Sequence, residues 1–141
     1  MKTIIIDSSV AAKWFFPDEE NSRESLKIKT DFVEGEINIC VPTLIYYELN
    51  NLLKTAINTL RIDRDLANQA YKGFLSLNLI SYSTSELLVS TLEKAVEFNI
   101  SSYDASYLAL AEYLRIDFYT ADEKFLNTVK SKFAKSLMLY H

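Results

Sequence analysis

Short apolar runs and longer stretches with helical periodicity alternate along this chain. The run at residues 2–7 is rich in isoleucine, as is typical of a buried parallel strand. Between Pro42 and Leu60 the apolar positions instead recur every three to four residues, which indicates a helix with Pro42 in its first turn. The other elements follow the same alternation. Strands are predicted at 37–41, 79–82, 116–120 and 136–140, and helices at 8–16, 21–34, 64–77, 85–98, 102–114 and 122–133.

This order of elements predicts an α/β protein. Strands separated by helices favour a three-layer α/β/α sandwich around a central parallel sheet of four or five strands. The chain has no repeat, linker or low-complexity stretch, so residues 1–141 are expected to form one domain. Functional sites of open parallel sheets lie outside the carboxyl ends of the strands. The residues that follow the strands are therefore the first candidates for chemistry.

Four acidic residues occupy such positions. Asp7 and Asp122 each follow a predicted strand, and Glu48 lies within the helix after the second strand, at the margin of its apolar stripe. Asp104 lies in the first turn of a later helix. Structural alternatives exist, because Asp7 and Asp122 also suit helix caps and Ser101 with Asp104 matches a capping box. The four acids together nevertheless predict a shared site.

Electrostatics limit what such a site can do. Two like charges about 4 Å apart repel by about 4 kcal/mol at an effective dielectric constant of 20. A hard divalent cation such as Mg²⁺ or Mn²⁺ relieves this repulsion and also binds phosphate oxygens. The site therefore predicts metal-dependent hydrolysis of a phosphodiester, with Asp7, Glu48, Asp104 and Asp122 as catalytic residues and metal ligands.

Several polar residues are candidates for supporting roles. Thr120, Ser9 and Asn51 are expected to form hydrogen bonds to the metal ligands or to metal-bound water. Lys13 is a weaker candidate for contact with phosphate, its alternative being a solvated charge.

Composition excludes other chemistries. Two glycines cannot form a phosphate-binding loop, and a single histidine and a single cysteine are too few for a zinc site of Cys and His ligands or for a disulfide. A catalytic triad would have to use the terminal His141. Cys40 lies within an apolar strand and is expected to be buried. No apolar run is long enough for a membrane span or a signal peptide, so a soluble, cytoplasmic protein is expected.

The net charge is only a weak constraint on the function. Fifteen basic and nineteen acidic residues give −4, which is unfavourable for general binding of nucleic acid. Without the four proposed site acids the balance is fifteen against fifteen. The acidity therefore argues against a basic groove, but not against a nuclease whose acids are neutralised by metal.

Four ordered motifs stand out along the chain: Ile4–Val10, Val41–Leu44 with Glu48 and Asn51, Tyr103–Ala111, and Tyr119–Asp122. They resemble the PIN-domain family, and within it the VapC-type toxins of toxin–antitoxin pairs. The resemblance implies a Mg²⁺- or Mn²⁺-dependent endoribonuclease that acts on RNA, forms a homodimer and is inhibited by a cognate antitoxin. By position, the four acids match the acidic set of the family, and Thr120 matches its hydroxyl before the last acid. Asn99 and Arg115 with Ile116 depart from it, because relatives often have glycine there.

Other functions remain open on this evidence. A PIN-domain nuclease of RNA processing, without an antitoxin, would carry the same residues. A non-catalytic module that binds protein on the same fold is a second alternative, although all four acids are present. A phosphoacceptor receiver domain is disfavoured, because Ser8 stands where an acidic pair is needed and no lysine follows the last strand.

Overall fold

The computed structural model describes every residue from Met1 to His141. Strands and helices follow one another in the predicted order. The strands are β1 (Lys2–Ile6), β2 (Ile37–Pro42), β3 (Ile80–Tyr82), β4 (Phe118–Thr120) and β5 (Ala134–Ser136). The helices are α1 (Ser8–Phe15), α2 (Ser22–Val33), α3 (Leu44–Asn58), α4 (Arg64–Leu75), α5 (Ser85–Phe98), α6 (Ser102–Leu114) and α7 (Glu123–Thr128), and a 3₁₀ helix spans Leu137–Leu139.

The five strands form one parallel sheet in the order β3-β2-β1-β4-β5. The central strand β1 pairs with β2 on one side and with β4 on the other, so that Ile5 lies opposite both Cys40 and Phe118. Ile4, Ile5 and Ile6 are fully buried, as expected for a strand covered on both faces. The predicted parallel sheet is confirmed with five strands, and Cys40 is buried as expected.

Helices cover both faces of this sheet. Helix α6 packs on β1, β2 and β4 with α5 beside it, whereas α1 and α2 pack on each other and on the strands. A single cluster of 26 buried residues forms the main core. A smaller cluster of Phe16, Leu53, Ala56 and Ala67 attaches α3 and α4 to the end of α1. None of the helices combines the length and the apolar content that a membrane-spanning segment requires.

One correction concerns the start of α3. Pro42 was expected in the first turn of this helix, but it is the last residue of β2 and lies opposite Tyr82 of β3. Proline has no backbone N–H, so it is tolerated at the end of a strand, where the hydrogen-bond ladder stops. The helix begins two residues later, at Leu44.

The last quarter of the chain differs more from the prediction. Strand β4 begins at Phe118 rather than 116, and α7 ends at Thr128 rather than 133. Val129 is extended and buried, so the chain turns into the core instead of continuing the helix. The predicted strand at 136–140 is wrong, because β5 covers Ala134–Ser136 and the Ser136 hydroxyl then caps the 3₁₀ helix.

The two residues that stand where relatives often have glycine, Asn99 and Arg115, share one backbone conformation. Asn99 and Arg115 follow α5 and α6 and adopt φ values of +51° and +57°, in the left-handed region. Glycine reaches this region most easily and asparagine tolerates it, whereas for arginine the conformation costs about 1–2 kcal/mol. Both turns therefore keep the conformation that glycine would supply, and the helix ends are preserved.

Candidate active site

Asp7 lies at the carboxyl end of the central strand and caps α1. Its Oδ1 accepts hydrogen bonds from the Ser9 hydroxyl at 2.5 Å and from the Val10 backbone N–H at 3.2 Å. Its Oδ2 accepts a bond from the Thr120 hydroxyl at 2.5 Å. The Asp7 carboxylate is thus a helix cap, the structural role that its position in the sequence also allowed. It also contacts β4, which a cap does not require.

Ser9 and Thr120 connect the ends of β1 and β4. The Ser9 hydroxyl accepts a hydrogen bond from the Ala121 N–H at 3.0 Å, and the buried Thr120 hydroxyl accepts one from the Asp122 N–H at 3.1 Å. Each hydroxyl therefore donates to Asp7 and accepts from the segment that leads to Asp122. Both side chains lie where the sequence predicted support for the acidic residues.

Glu48 is half-buried in the second turn of α3. Its Oε1 accepts a hydrogen bond at 2.5 Å from the hydroxyl of Tyr107, which is almost fully buried on α6. Sequence reasoning did not select Tyr107. The available signal was its spacing, because a residue three positions after Asp104 lies on the same side of a helix.

Asp104 and Asp122 form the more exposed half of the site. Asp104 lies in the first turn of α6, where its N–H donates to the Ser101 hydroxyl at 3.0 Å. Asp122 caps α7, and its Oδ1 accepts a bond from the Phe125 N–H at 3.0 Å. The two acids line one polar pocket. The direction of α6 places Asp104 at the same edge of the sheet as Asp122.

Asp7, Glu48 and Asp104 all have raised pKa values, and a neighbouring acid contributes to each shift. Burial raises the pKa of Asp7 to about 6, opposed by its hydrogen bonds and assisted by the charge of Glu48. Burial and then the charge of Asp104 raise the pKa of Glu48, and burial and then the charge of Asp122 raise the pKa of Asp104. The electrostatic coupling therefore runs from Asp7 through Glu48 and Asp104 to Asp122.

The donor set suits a hard cation. The acids and the hydroxyls of Ser9 and Thr120 supply carboxylate and hydroxyl oxygens, the kind of ligand that Mg²⁺ and Mn²⁺ select. In this structure no three acidic, histidine or cysteine side chains lie close enough together to hold a metal ion, so the protein does not form a ligand shell by itself. Mg²⁺ does not need such a shell, since it usually keeps several waters and takes one or two carboxylates together with substrate phosphate.

Two further sequence candidates are not part of this cluster. Asn51 is exposed on α3 and lines the same depression as Glu48, but its side chain forms no hydrogen bond to any of the four acids. Lys13 is neither solvated nor free for phosphate, because it is only 8% exposed and its Nζ lies 3.7 Å from Glu19. The structure therefore joins Asp7 to Ser9 and Thr120 through hydrogen bonds and places Asp104 and Asp122 on one pocket, whereas Asn51 and Lys13 take no part in these contacts.

A parallel α/β/α sheet with acidic residues along its carboxyl edge defines the class of protein. A family model described as the PIN domain matches residues 4–130, and the chain belongs to this family. No curated protein matches the sequence significantly. The family expected from the four motifs is thereby confirmed.

Solved structures agree with this fold. PAE2754 from Pyrobaculum aerophilum is 23% identical, with a TM-score of 0.67 over 98% of this chain and 92% of that one. VapBC2 from Rickettsia felis, in a structure bound to a DNA fragment from the VapBC2 promoter, is 12% identical. Its TM-score is 0.69, over 95% of this chain and 98% of that one. DNA-bound VapBC from Salmonella typhimurium is 17% identical with a TM-score of 0.65 over 97% and 99%. At these identities the likeness concerns the fold.

The raised pKa of Asp7 predicts how stability depends on pH. Since the pKa is about 6 in the fold and 3.8 as its reference value, the free energy of unfolding of the metal-free protein should fall as pH rises from about 4 through 6. The contribution of this one carboxyl is on the order of 2–3 kcal/mol. Asp7→Asn should remove that part of the slope and be at least as stable as wild type at about pH 7, measured by urea denaturation with chelator.

Asp65→Asn is the matched control, because Asp65 is an exposed acid on α4 away from the cluster. This variant should keep the slope of the wild type. A full pH dependence in Asp7→Asn would contradict the assigned burial of Asp7.

Proposed function

We propose that this chain is a metal-dependent endoribonuclease and the toxin of a VapBC-type toxin–antitoxin pair. The observation that carries the proposal is the electrostatic coupling of four carboxylates from four separate segments at one sheet edge. Such an arrangement is unfavourable without a cation and becomes favourable with one. Membership of the PIN domain family supports the nuclease, and the fold shared with VapBC proteins supports the toxin.

The acidic residues of the site would bind the metal, and the hydroxyl groups orient those acids. Asp7, Glu48, Asp104 and Asp122 would hold Mg²⁺ or Mn²⁺. The metal would supply an activated water and stabilise the charge that develops on the phosphate and on the leaving oxygen. Ser9 and Thr120 fix both oxygens of Asp7, and Tyr107 fixes Glu48. These hydrogen bonds keep the carboxylates in place before the substrate arrives.

A cleavage assay on total RNA tests the nuclease. The wild type should cleave RNA with Mg²⁺ or Mn²⁺ and lose activity with chelator. Asp104→Asn should lower the rate by about 100-fold or more, as loss of one key electrostatic group does in other active sites. Asp65→Asn is again the matched control and should cleave normally. Equal cleavage by wild type and Asp104→Asn would show that these acids are not the active site.

A toxin requires more than cleavage, because a processing nuclease without an antitoxin and a non-catalytic binding module would share this fold. The chain alone should arrest growth when it is produced in bacterial cells, and we propose that it acts in the cytoplasm. Co-production of the neighbouring gene product should restore growth, and Asp104→Asn should not arrest it. An active enzyme that leaves growth unchanged would instead favour the processing nuclease.

We also propose a homodimer that uses α5. Leu88, Leu92 and Val96 recur every four residues on this helix and are 67%, 62% and 75% exposed. A contiguous apolar stripe is unusual on a monomer, and a two-fold axis would bury it against its own copy. Sedimentation should give a dimer for the wild type and a monomer for Leu92→Asp, with Glu93→Gln as the control. Sedimentation of the wild type as a monomer would contradict the proposed dimer.

A further inference from the structure

Two concave depressions flank the acidic cluster. The first, the α3 trough, has a volume of about 310 Å³ and is lined by Phe16, Glu48, Asn51, Thr55, Thr59 and Arg61. The second, the α7 pocket, has a volume of about 330 Å³ and is lined by Asn99, Ile100, Asp104, Asp122, Lys124 and Thr128. The α3 trough therefore has one site acid and one cation in its wall, and the α7 pocket has two site acids and one cation.

The sheet order places these depressions on opposite sides of Asp7. Glu48 follows β2 and Asp122 follows β4, and the central strand β1 lies between those two strands. A molecule that occupied both depressions would have to cross the carboxyl edge directly over Asp7. Two strand spacings account for about 10 Å of this crossing. The eleven residues from Glu48 to Thr59 add about 16 Å along α3.

Arg61 is the cation of the α3 trough. Its guanidinium lies 4.0 Å from the centre of the Phe16 ring, which orients the planar group. It also pairs with Glu19 at 3.1 Å and with Asp18 at 3.6 Å. Exposed ion pairs of this kind are weak, so a phosphate can compete for the guanidinium. Lys13 also pairs with Glu19, so the negative charge of Glu19 is shared between two cations. The positive charge of Arg61 is therefore less fully neutralised.

Lys124 is the cation of the α7 pocket. It is exposed, stands two residues after Asp122 and forms no salt bridge. Asn99 and Thr128 add an amide and a hydroxyl to the same pocket. Arg, Lys, Asn and Thr side chains are the groups that contact phosphate and sugar in nucleic-acid complexes. The pocket therefore offers phosphate contacts in an otherwise acidic part of the protein.

We propose that single-stranded RNA runs across the sheet edge from the α3 trough, over the acids, into the α7 pocket. Arg61 and Lys124 bind phosphates on the two sides of the cleaved bond, and the acids between them would hold the metal that contacts the intervening phosphate. The proposal rests on the proposed nuclease function and adds the path of its substrate. A path of about 26 Å corresponds to about eight stacked nucleotides, at about 3.4 Å for each.

The test uses a pool of random single-stranded RNA octamers, because binding through phosphates does not depend on sequence. Binding to full-length Asp7→Asn protein with Mg²⁺ is measured by fluorescence anisotropy at several salt concentrations. For a single strand, each phosphate that the protein neutralises contributes about 0.7 to the slope of log affinity against log salt. Arg61→Gln and Lys124→Gln, each in this background, should therefore each reduce the slope by about 0.7 and bind several-fold more weakly.

Matched controls come from exposed cations elsewhere. Arg23→Gln on α2 and Lys72→Gln on α4 should leave the slope unchanged. Lys124→Gln breaks no salt bridge, so it remains informative if Arg61→Gln unfolds. The proposed path would be contradicted if Arg61→Gln and Lys124→Gln left the salt dependence of RNA binding unchanged. It would also be contradicted if the control variants reduced this slope equally.

Failure of the path and failure of the nuclease give different results. Metal-dependent cleavage by the wild type with unchanged slopes in Arg61→Gln and Lys124→Gln would overturn the path alone. Reduced slopes without any cleavage would support the RNA-binding path and overturn the nuclease. Absence of RNA binding together with absence of cleavage would overturn both.

Discussion

Repulsion between carboxylates at one edge of a parallel sheet is the constraint on which the site depends. Asp7 is the most confined of them, because two hydroxyls and a backbone N–H fix its oxygens. Those hydrogen bonds favour the ionised form, yet burial and the charge of Glu48 raise its pKa to about 6. The fold thus retains an electrostatic cost that a bound divalent cation would relieve.

The architecture explains how residues so distant in sequence share this constraint. Parallel strands all end at the same edge, so residues after β1, β2 and β4 converge there without any special loop. Asp104 arrives differently, from the first turn of α6, which packs across these three strands. The same helix supplies Tyr107, whose hydroxyl fixes Glu48. Helix α6 therefore connects both halves of the acidic cluster.

Charge is distributed unevenly around this edge. The four acids account for the whole excess of negative over positive residues. Lys13, a candidate for contact with phosphate, is buried against Glu19, while Arg61 and Lys124 lie exposed beyond the acids on either side. An overall acidic protein can thus present cations to a nucleic acid where contact is needed, provided that metal neutralises the centre.

The sequence alone determined the α/β class, the order of elements and the acids at the strand ends, because hydrophobic periodicity and the parallel-sheet rule are local or topological. The fold decided the rest. The direction of α6, the Tyr107–Glu48 bond and the burial of Lys13 depend on packing between distant segments. Pro42 and the chain after Thr128 were misplaced for the same reason, since strand pairing with β3 and burial of Val129 outweighed local preference.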